Sequence, residues 1–245
     1  MASIFYINCV WMLVSLTQPP AQPYLFLFID HCSLSTDIMA FYHERILPHL
    51  IDAACSTRQV MKVRKRLVPL ARGQVLEVGM GSGINLSLYD AARVERVWAL
   101  EPSAGMRRKA ASNLKDSPVP VDWLDLPGEQ IPLPDNSVDT VLLTFTLCTI
   151  PDWEAALWQM KRVLKPDGKL LFAEHGRSPD GRVCKLQDRL TPIWRKFAGG
   201  CHLNRPIDEC ILQCGFRIEQ HETFYLKKTP RFIGHLYLGQ AVKRQ

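Results

Sequence analysis

The sequence has no CxxC pair, no zinc-finger spacing and no run of about 20 apolar residues such as a membrane-spanning helix needs. Its eight cysteines (Cys9, Cys32, Cys55, Cys148, Cys184, Cys201, Cys210 and Cys214) are scattered. Cys210 and Cys214, four residues apart, read as two buried side chains on one helix face. No metal site is therefore expected, and scattered thiols point to a reducing, cytoplasmic location. Residues 1–38 contain no Lys or Arg. The apolar stretch at 4–16 thus lacks the positive flank of a signal peptide. QPPAQP interrupts it at 18–23, and YLFLFI resumes at 24–29. Two readings stand: a hydrophobic membrane anchor, or an appendage ahead of a true start at Met39, where MAFYHERILPHL has the look of a natural N-terminus. The second is preferred.

The missing positive charge leaves its mark on the rest of the chain. The net charge is +6, and residues 39–245 carry +8 because two Asp fall in the first 38. That excess suits nucleic acid, an anionic membrane surface or an anionic ligand without choosing among them. No basic and aromatic track accompanies it, so no nucleic-acid partner is expected. The basic cluster KVRKR at 62–66 reads as a solvated helix face, with peripheral membrane contact second.

At 47% hydrophobic content, 245 residues suffice for one sizeable α/β domain. Apolar spacing predicts one or two helices over 40–70, and further helices at 85–92, 104–114, 153–164, 183–197 and 206–214. Pro192 should kink or split the helix that holds it. Strands are predicted at 75–78, 94–100, 119–123, 138–145, 170–174, 216–225 and 234–242, with KPDGK at 165–169 as a turn. Strands alternating with helices imply a Rossmann-like, doubly wound α/β sheet, and such sheets bind ligands at the carboxyl ends of their strands.

One such end carries VLEVGMGSGINLSLY at 75–89. A P-loop would need Lys after its last glycine, and none follows. A dinucleotide fingerprint, G-x-G-x-x-G, would put its third glycine where Ile84 stands. Glu77, two residues before Gly79, would repel a pyrophosphate and suit a cationic ligand. Glu101 ends the next strand, where an acid can bond both hydroxyls of a ribose. S-adenosylmethionine, with a sulfonium and an ammonium, meets both conditions.

LEVGMGSG (76–83), LEPSAGM (100–106), LPDNSVDTVL (133–142) and VLKPDGKLLFAEHG (163–176) together resemble the class I S-adenosylmethionine-dependent methyltransferases, in the group with the ubiquinone and menaquinone C-methyltransferases. LCTI (147–150), EHG (174–176), GGCHLNR (199–205) and GHLYLGQAVK (234–243) resemble the thiol S-methyltransferases. Members of that subfamily carry an N-terminal membrane-associating stretch. The resemblance implies a seven-stranded sheet, mostly parallel with an antiparallel last strand, over a domain of residues 39–245 with an insertion at 176–204. It implies S-adenosylmethionine as cofactor and a small-molecule acceptor, probed through these residues. Glu77, Gly79, Gly81 and Gly83 would line its methionine and ribose part, Glu101 would hold the ribose hydroxyls, and Pro102 and Met106 would flank adenine. Family members often place an Asp at the adenine amino group. Pro127 stands there instead, so backbone at Gly128 and Glu129 would replace it, with Asp125 a weaker substitute. Thr144, ending the fourth strand, would border the transferred methyl. TFTLC lacks the [DN]-P-P-[YF] pattern of amino methyltransferases.

The acceptor pocket is expected from the N-terminal helices and the insertion, with Trp194 and Phe197 on one helix face as core or as pocket wall. A thiol is the leading acceptor, and ionises near a pKa of about 8.5. His175 is the candidate base, weighed against a structural role, the commoner fate of a lone histidine at a strand end. His202 is a weaker candidate, and Cys148 reads as a buried core residue. Alternatives are a lipid or quinone methyltransferase, a nicotinamide-dependent oxidoreductase, and a non-catalytic module that binds the cofactor.

Overall fold

The computed structural model describes residues 39–244. The readings offered for residues 1–38 lie outside the described residues. Seven strands form one sheet: β1 (Gly73–Val78), β2 (Val94–Leu100), β3 (Val121–Leu124), β4 (Val138–Thr144), β5 (Leu164–His175), β6 (Phe216–Tyr225) and β7 (His235–Lys243). Their order is β3-β2-β1-β4-β5-β7-β6. The first five pair in parallel, and β7 runs antiparallel between β5 and β6. The expected sheet is therefore present. Strand order reverses between β1 and β4, so a ligand crevice belongs at their carboxyl ends.

Helices cover both faces: α1 (Leu47–Cys55), α2 (Arg58–Leu67), α3 (Ala104–Lys115), α4 (Trp153–Val163), α5 (Gly181–Phe197), α6 (Ile207–Gln213) and α7 (Arg231–Gly234). A π-turn, Tyr42–Ile46, leads into α1. Side chains cap three of them at the N-terminus, where orphan N–H groups need acceptors. Ser103 accepts from Met106 N in α3, Asp152 from Ala155 N in α4, and Asp180 from Arg182 N in α5.

The period-two alternation of a strand decides what each helix covers. Leu76 and Val78 of β1 pack with Leu157 and Met160 of α4 and Ile207 of α6. Val75, on the opposite face, packs with Val63 and Leu67 of α2. Glu77 must share that α2 face. The placement governs the site described below.

Some expectations change. The helix predicted at 85–92 is only a 3-10 turn, Leu86–Leu88. Asn85 and Tyr89 are drawn inward by hydrogen bonds to Glu77, and these tertiary bonds win over local propensity. The third strand begins at Val121, two residues later than predicted. The turn at 165–169 lies inside β5, where pairing jumps from Val138–Leu164 to Thr140–Lys169 and residues 165–168 bulge out. Pro192 does not split α5, which runs from Gly181 to Phe197.

The segment 176–204, expected as an insertion, is anchored by one side chain. Gln187 of α5 is fully buried; its amide donates to the carbonyls of Gly176, Leu203 and Phe232, and accepts from Ser178 N. Removing it strands several buried backbone groups, each costing about 1–3 kcal/mol. Gln187→Ala should lose on the order of 3 kcal/mol in urea unfolding, and a loss under about 0.5 kcal/mol would contradict this anchoring role.

Candidate functional site

A cleft of about 460 Å³ opens at the carboxyl ends of β1, β2 and β4. Its floor is the glycine loop. Gly79 has φ +70°, and a Cβ there would sit 2.3 Å from the Thr146 side chain. Gly81 has φ +63°, and a Cβ there would meet nothing nearer than Gly79 O at 4.0 Å. The first glycine is bare because the protein packs against it; the second leaves open room for a ligand. Gly83 faces α3, near Ala110 and Asn113, and lies outside the cleft lining.

Glu101 forms the next wall and is 7% exposed. Its Oε2 accepts from Gly81 N at 2.9 Å and its Oε1 from Ser103 N at 2.8 Å. These two bonds fix the carboxylate, and each oxygen keeps a lone pair for a further donor. Burial pushes this carboxyl above its ordinary range, against the pull of the two N–H groups. Pro102, Met106, Gly128, Glu129 and Thr144 complete the expected set in the lining. Asp125 is turned out onto Arg107, with Nη2 to Oδ2 at 2.9 Å. The Glu129 carboxylate accepts from Asp152 N at 3.2 Å.

Eight of the ten residues expected at the cofactor line the cleft; Gly83 and Glu77 do not. Glu77 has no exposed surface and sits one layer deeper. It accepts from Asn85 Nδ2 at 2.7 Å and from Tyr89 Oη at 2.6 Å. A direct contact with a cationic ligand is replaced by support of the loop from beneath.

Arg64 is the residue that sequence reasoning missed. It lies within the basic cluster read as solvated, yet it is 5% exposed. Its Nη1 donates to Asn85 Oδ1 and to Thr144 Oγ1, each at 2.8 Å. The guanidinium lies 5.2 Å from the ring centre of Phe145 and lines the cleft, and its Nε is buried without a partner. The signal was available: Val60, Val63 and Leu67 define the buried stripe of α2, and position 64 falls on it. Phe145, which follows β4, has φ +59°, a strained backbone for a bulky residue.

The other half of the cleft is apolar. Leu47, Pro48 and Ile51 of α1 face Phe145 and Ile150, with Gly199 and Gly200 of the insertion at the rim. His43, Asp52 and Cys55 add polar groups. The N-terminal helices and the insertion thus meet here, and Tyr42 Oη donates to Phe197 O at 2.7 Å. Trp194 and Phe197 part company: Trp194 packs edge-on against Phe232, while the Phe197 side chain is 58% exposed.

His175 stands behind this wall and outside the lining. Its Nε2 lies 2.9 Å from Cys201 Sγ. Cys148, buried as expected, and Cys201 are driven apart in acidity. Their mutual hydrogen bond pushes the Cys148 thiol well up, aided by burial, and pulls the Cys201 thiol down. His202 also lies off the cleft, its N–H donating to Cys148 O at 2.8 Å.

A family model described as a methyltransferase domain matches residues 76–172. The human thiol S-methyltransferase TMT1B is 31% identical over 71% of this chain and 72% of its own length. The rat protein of that name is 30% identical over 69% and 70%. The chain belongs to the class I S-adenosylmethionine-dependent methyltransferases. The solved YcgJ protein of Bacillus subtilis shares the fold of this methyltransferase at TM-score 0.59 and 16% identity, over 76% of this chain and 98% of its own. The cofactor of this methyltransferase is S-adenosylmethionine, which sets the nicotinamide reading aside, and its membership of an enzyme family sets aside the non-catalytic module. The cleft fits that cofactor, offering a bare loop at Gly81, a fixed carboxylate at Glu101 and the guanidinium charge of Arg64 in its lining for an anionic end.

Burial also raises the Glu77 carboxyl from 4.5, against the hydrogen bonds of Tyr89 and Asn85 and the charge of Arg64. The folded state therefore holds this proton more firmly than the unfolded chain. As pH falls from neutrality toward 4.5, the melting temperature of the native chain should rise relative to Glu77→Gln, then level off. Thermal melts of both across that range check this; a relative fall would show the ionised carboxylate to be the stabilised form.

Proposed function

We propose that this methyltransferase acts on a small, apolar thiol. The similarity to thiol S-methyltransferases over most of both chains carries the reading. The apolar half of the cleft, built from Leu47, Ile51, Phe145 and Ile150, supports it. On this reading the Arg64 guanidinium answers the charge of the methionine carboxylate, and Glu101 bonds the ribose diol through the lone pairs left free by Gly81 and Ser103. Pro102 and Met106 flank adenine, with backbone at Gly128 and Glu129 at its edge. Gly79 and Gly81 let the chain approach closely. Thr144, held by Arg64 and Asn85, borders the reacting centre.

When bound, the cofactor supplies a methyl on a sulfonium, a leaving group already activated. The protein then contributes proximity and orientation, which remove about 7–11 kcal/mol of barrier in well-aligned systems. α1 and the insertion rim would hold the acceptor sulfur in line and exclude water. His175 lies outside the lining, and a thiol with a pKa of about 8.5 already supplies a few per cent of the reactive thiolate at neutral pH, so no base on the protein is required. Six cysteines are free among the described residues, which supports a cytoplasmic setting. Among the described residues no helix is long and apolar enough to cross a membrane.

Two measurements test this. Glu101→Ala removes charge-assisted hydrogen bonds worth about 1.5–3 kcal/mol, so calorimetric affinity for S-adenosylhomocysteine should fall roughly 10- to 100-fold. Unchanged affinity would remove Glu101 from the ribose site. In a mass-detected screen of alkyl thiols, quinones and phospholipids, the thiols should gain the methyl. The pH midpoint of kcat/KM should then follow the acidity of each thiol. Methylation of quinone or lipid alone would overturn the acceptor, and a midpoint common to all thiols would reveal a base on the protein.

A further inference from the structure

Behind the cleft wall, three soft ligands from distant segments converge. Cys148 lies in the loop after β4, His175 ends β5, and Cys201 follows α5. Their ligating atoms all lie within 4.8 Å of one another. Cys148 is 2% and Cys201 9% exposed. None of the three lines the cleft, so the methyl-transfer reading leaves them without a task.

The surroundings hold the ligands in place. The Glu174 carboxylate accepts from Thr146 N at 2.8 Å and from Cys148 N at 3.4 Å. Arg205 Nη1 donates to Leu147 O, and to Ile150 O at 2.7 Å. His202 N donates to Cys148 O at 2.8 Å. The backbone around Cys148 is thus clamped from three directions. Such outer support is what orients the ligands of a metal site.

We propose that Cys148, His175 and Cys201 bind a thiophilic divalent cation of the zinc type, through two sulfurs and one imidazole nitrogen. Thiolate and imidazole donors suit such an ion. Metal bonds of about 2.3 Å to sulfur and 2.0 Å to nitrogen, in a tetrahedron, set ligand atoms roughly 3.5–3.8 Å apart. Ligating atoms that lie within 4.8 Å of one another need only small side-chain shifts to reach that spacing, and the 2.9 Å contact between His175 Nε2 and Cys201 Sγ would open by about half an ångström. Both thiols would give up their protons to solvent, and two thiolates would balance the dication, leaving no net buried charge. Three protein ligands leave a fourth position for water or a small exogenous donor. The ion would fasten the insertion to the ends of β4 and β5, and so set Thr149 and Gly200 in the cleft wall.

The test is spectroscopic and independent of turnover, so its failure is distinguishable from failure of the thiol-acceptor reading. The full chain, reduced and freed of metal by a chelator, is titrated with Co²⁺ alone. One equivalent should produce intense sulfur-to-cobalt absorption in the near ultraviolet and tetrahedral bands in the visible, both erased by Zn²⁺. Cys148→Ser and Cys201→Ser should each weaken or remove the sulfur bands. Cys210→Ser, a buried thiol outside the cluster, should leave the titration unchanged. Should the cluster variants not fold, the native chain answers alone through its stoichiometry and bands. No uptake by the reduced native chain at millimolar Co²⁺ would overturn the proposal. So would sulfur bands undiminished in the folded cluster variants, or a Cys148–Cys201 disulfide found by mass spectrometry before reduction.

Discussion

Glu77 has no contact with solvent, and a carboxylate so placed must be satisfied from within the protein. Asn85 and Tyr89 do this with hydrogen bonds, and Arg64 with its charge. Asn85 is the hinge of the arrangement: it donates to Glu77 and Thr144 and accepts from Arg64. One polar network therefore ties β1, the glycine loop, α2 and β4 together at the point where strand order reverses. Removing one charged partner from such a network leaves the other buried and unanswered, typically a loss of 3–5 kcal/mol. The loop can be short of helix and rich in glycine because its shape is imposed from below.

That network also divides labour between the two acids of the motif. Glu77 supports the loop, and Glu101, one strand over, faces the cleft. Both are buried and each of their oxygens accepts one bond, but Glu101 is held by backbone N–H groups at the cleft lining, while Glu77 is held by side chains beneath it. The cleft lining thus combines charged groups at Glu101 and Arg64 with apolar ones at Leu47, Ile51, Phe145 and Ile150. A charged cofactor and an uncharged acceptor can sit side by side there without either being desolvated against the wrong wall.

Much of this was legible in the sequence because it is local. Strand alternation, the glycine spacing, Glu101 at a strand end and the Ser103 cap each concern a few consecutive residues. Together with the family resemblance they pointed to eight residues that line the cleft. What escaped depends on partners far along the chain. Glu77 was read as facing a ligand because position relative to the glycines said nothing of which sheet face it occupied. Alternation with Val75 could have said so once α2 was known to cover that face. Arg64 was hidden in a run of basic residues whose composition suggested solvent. The helix predicted at 85–92 lost to the pull of Glu77 on Asn85 and Tyr89. Cys148, His175 and Cys201 have no spacing to recognise, because only the folded sheet and the insertion bring them together.

The roof of the cleft joins two segments that lie 155 residues apart in the chain, through an exposed hydrogen bond from Tyr42 to Phe197 O. Phe41, Leu50 and Ile193 nearby remain largely exposed, so little apolar burial reinforces that seam. Regions with few buried contacts open locally at far lower cost than the core. Backbone amides along 40–55 and around 198–201 would then exchange with solvent well before those of β1 and β4. Ligands could reach the catalytic crevice through fluctuations of its covering alone, while the sheet beneath stays closed.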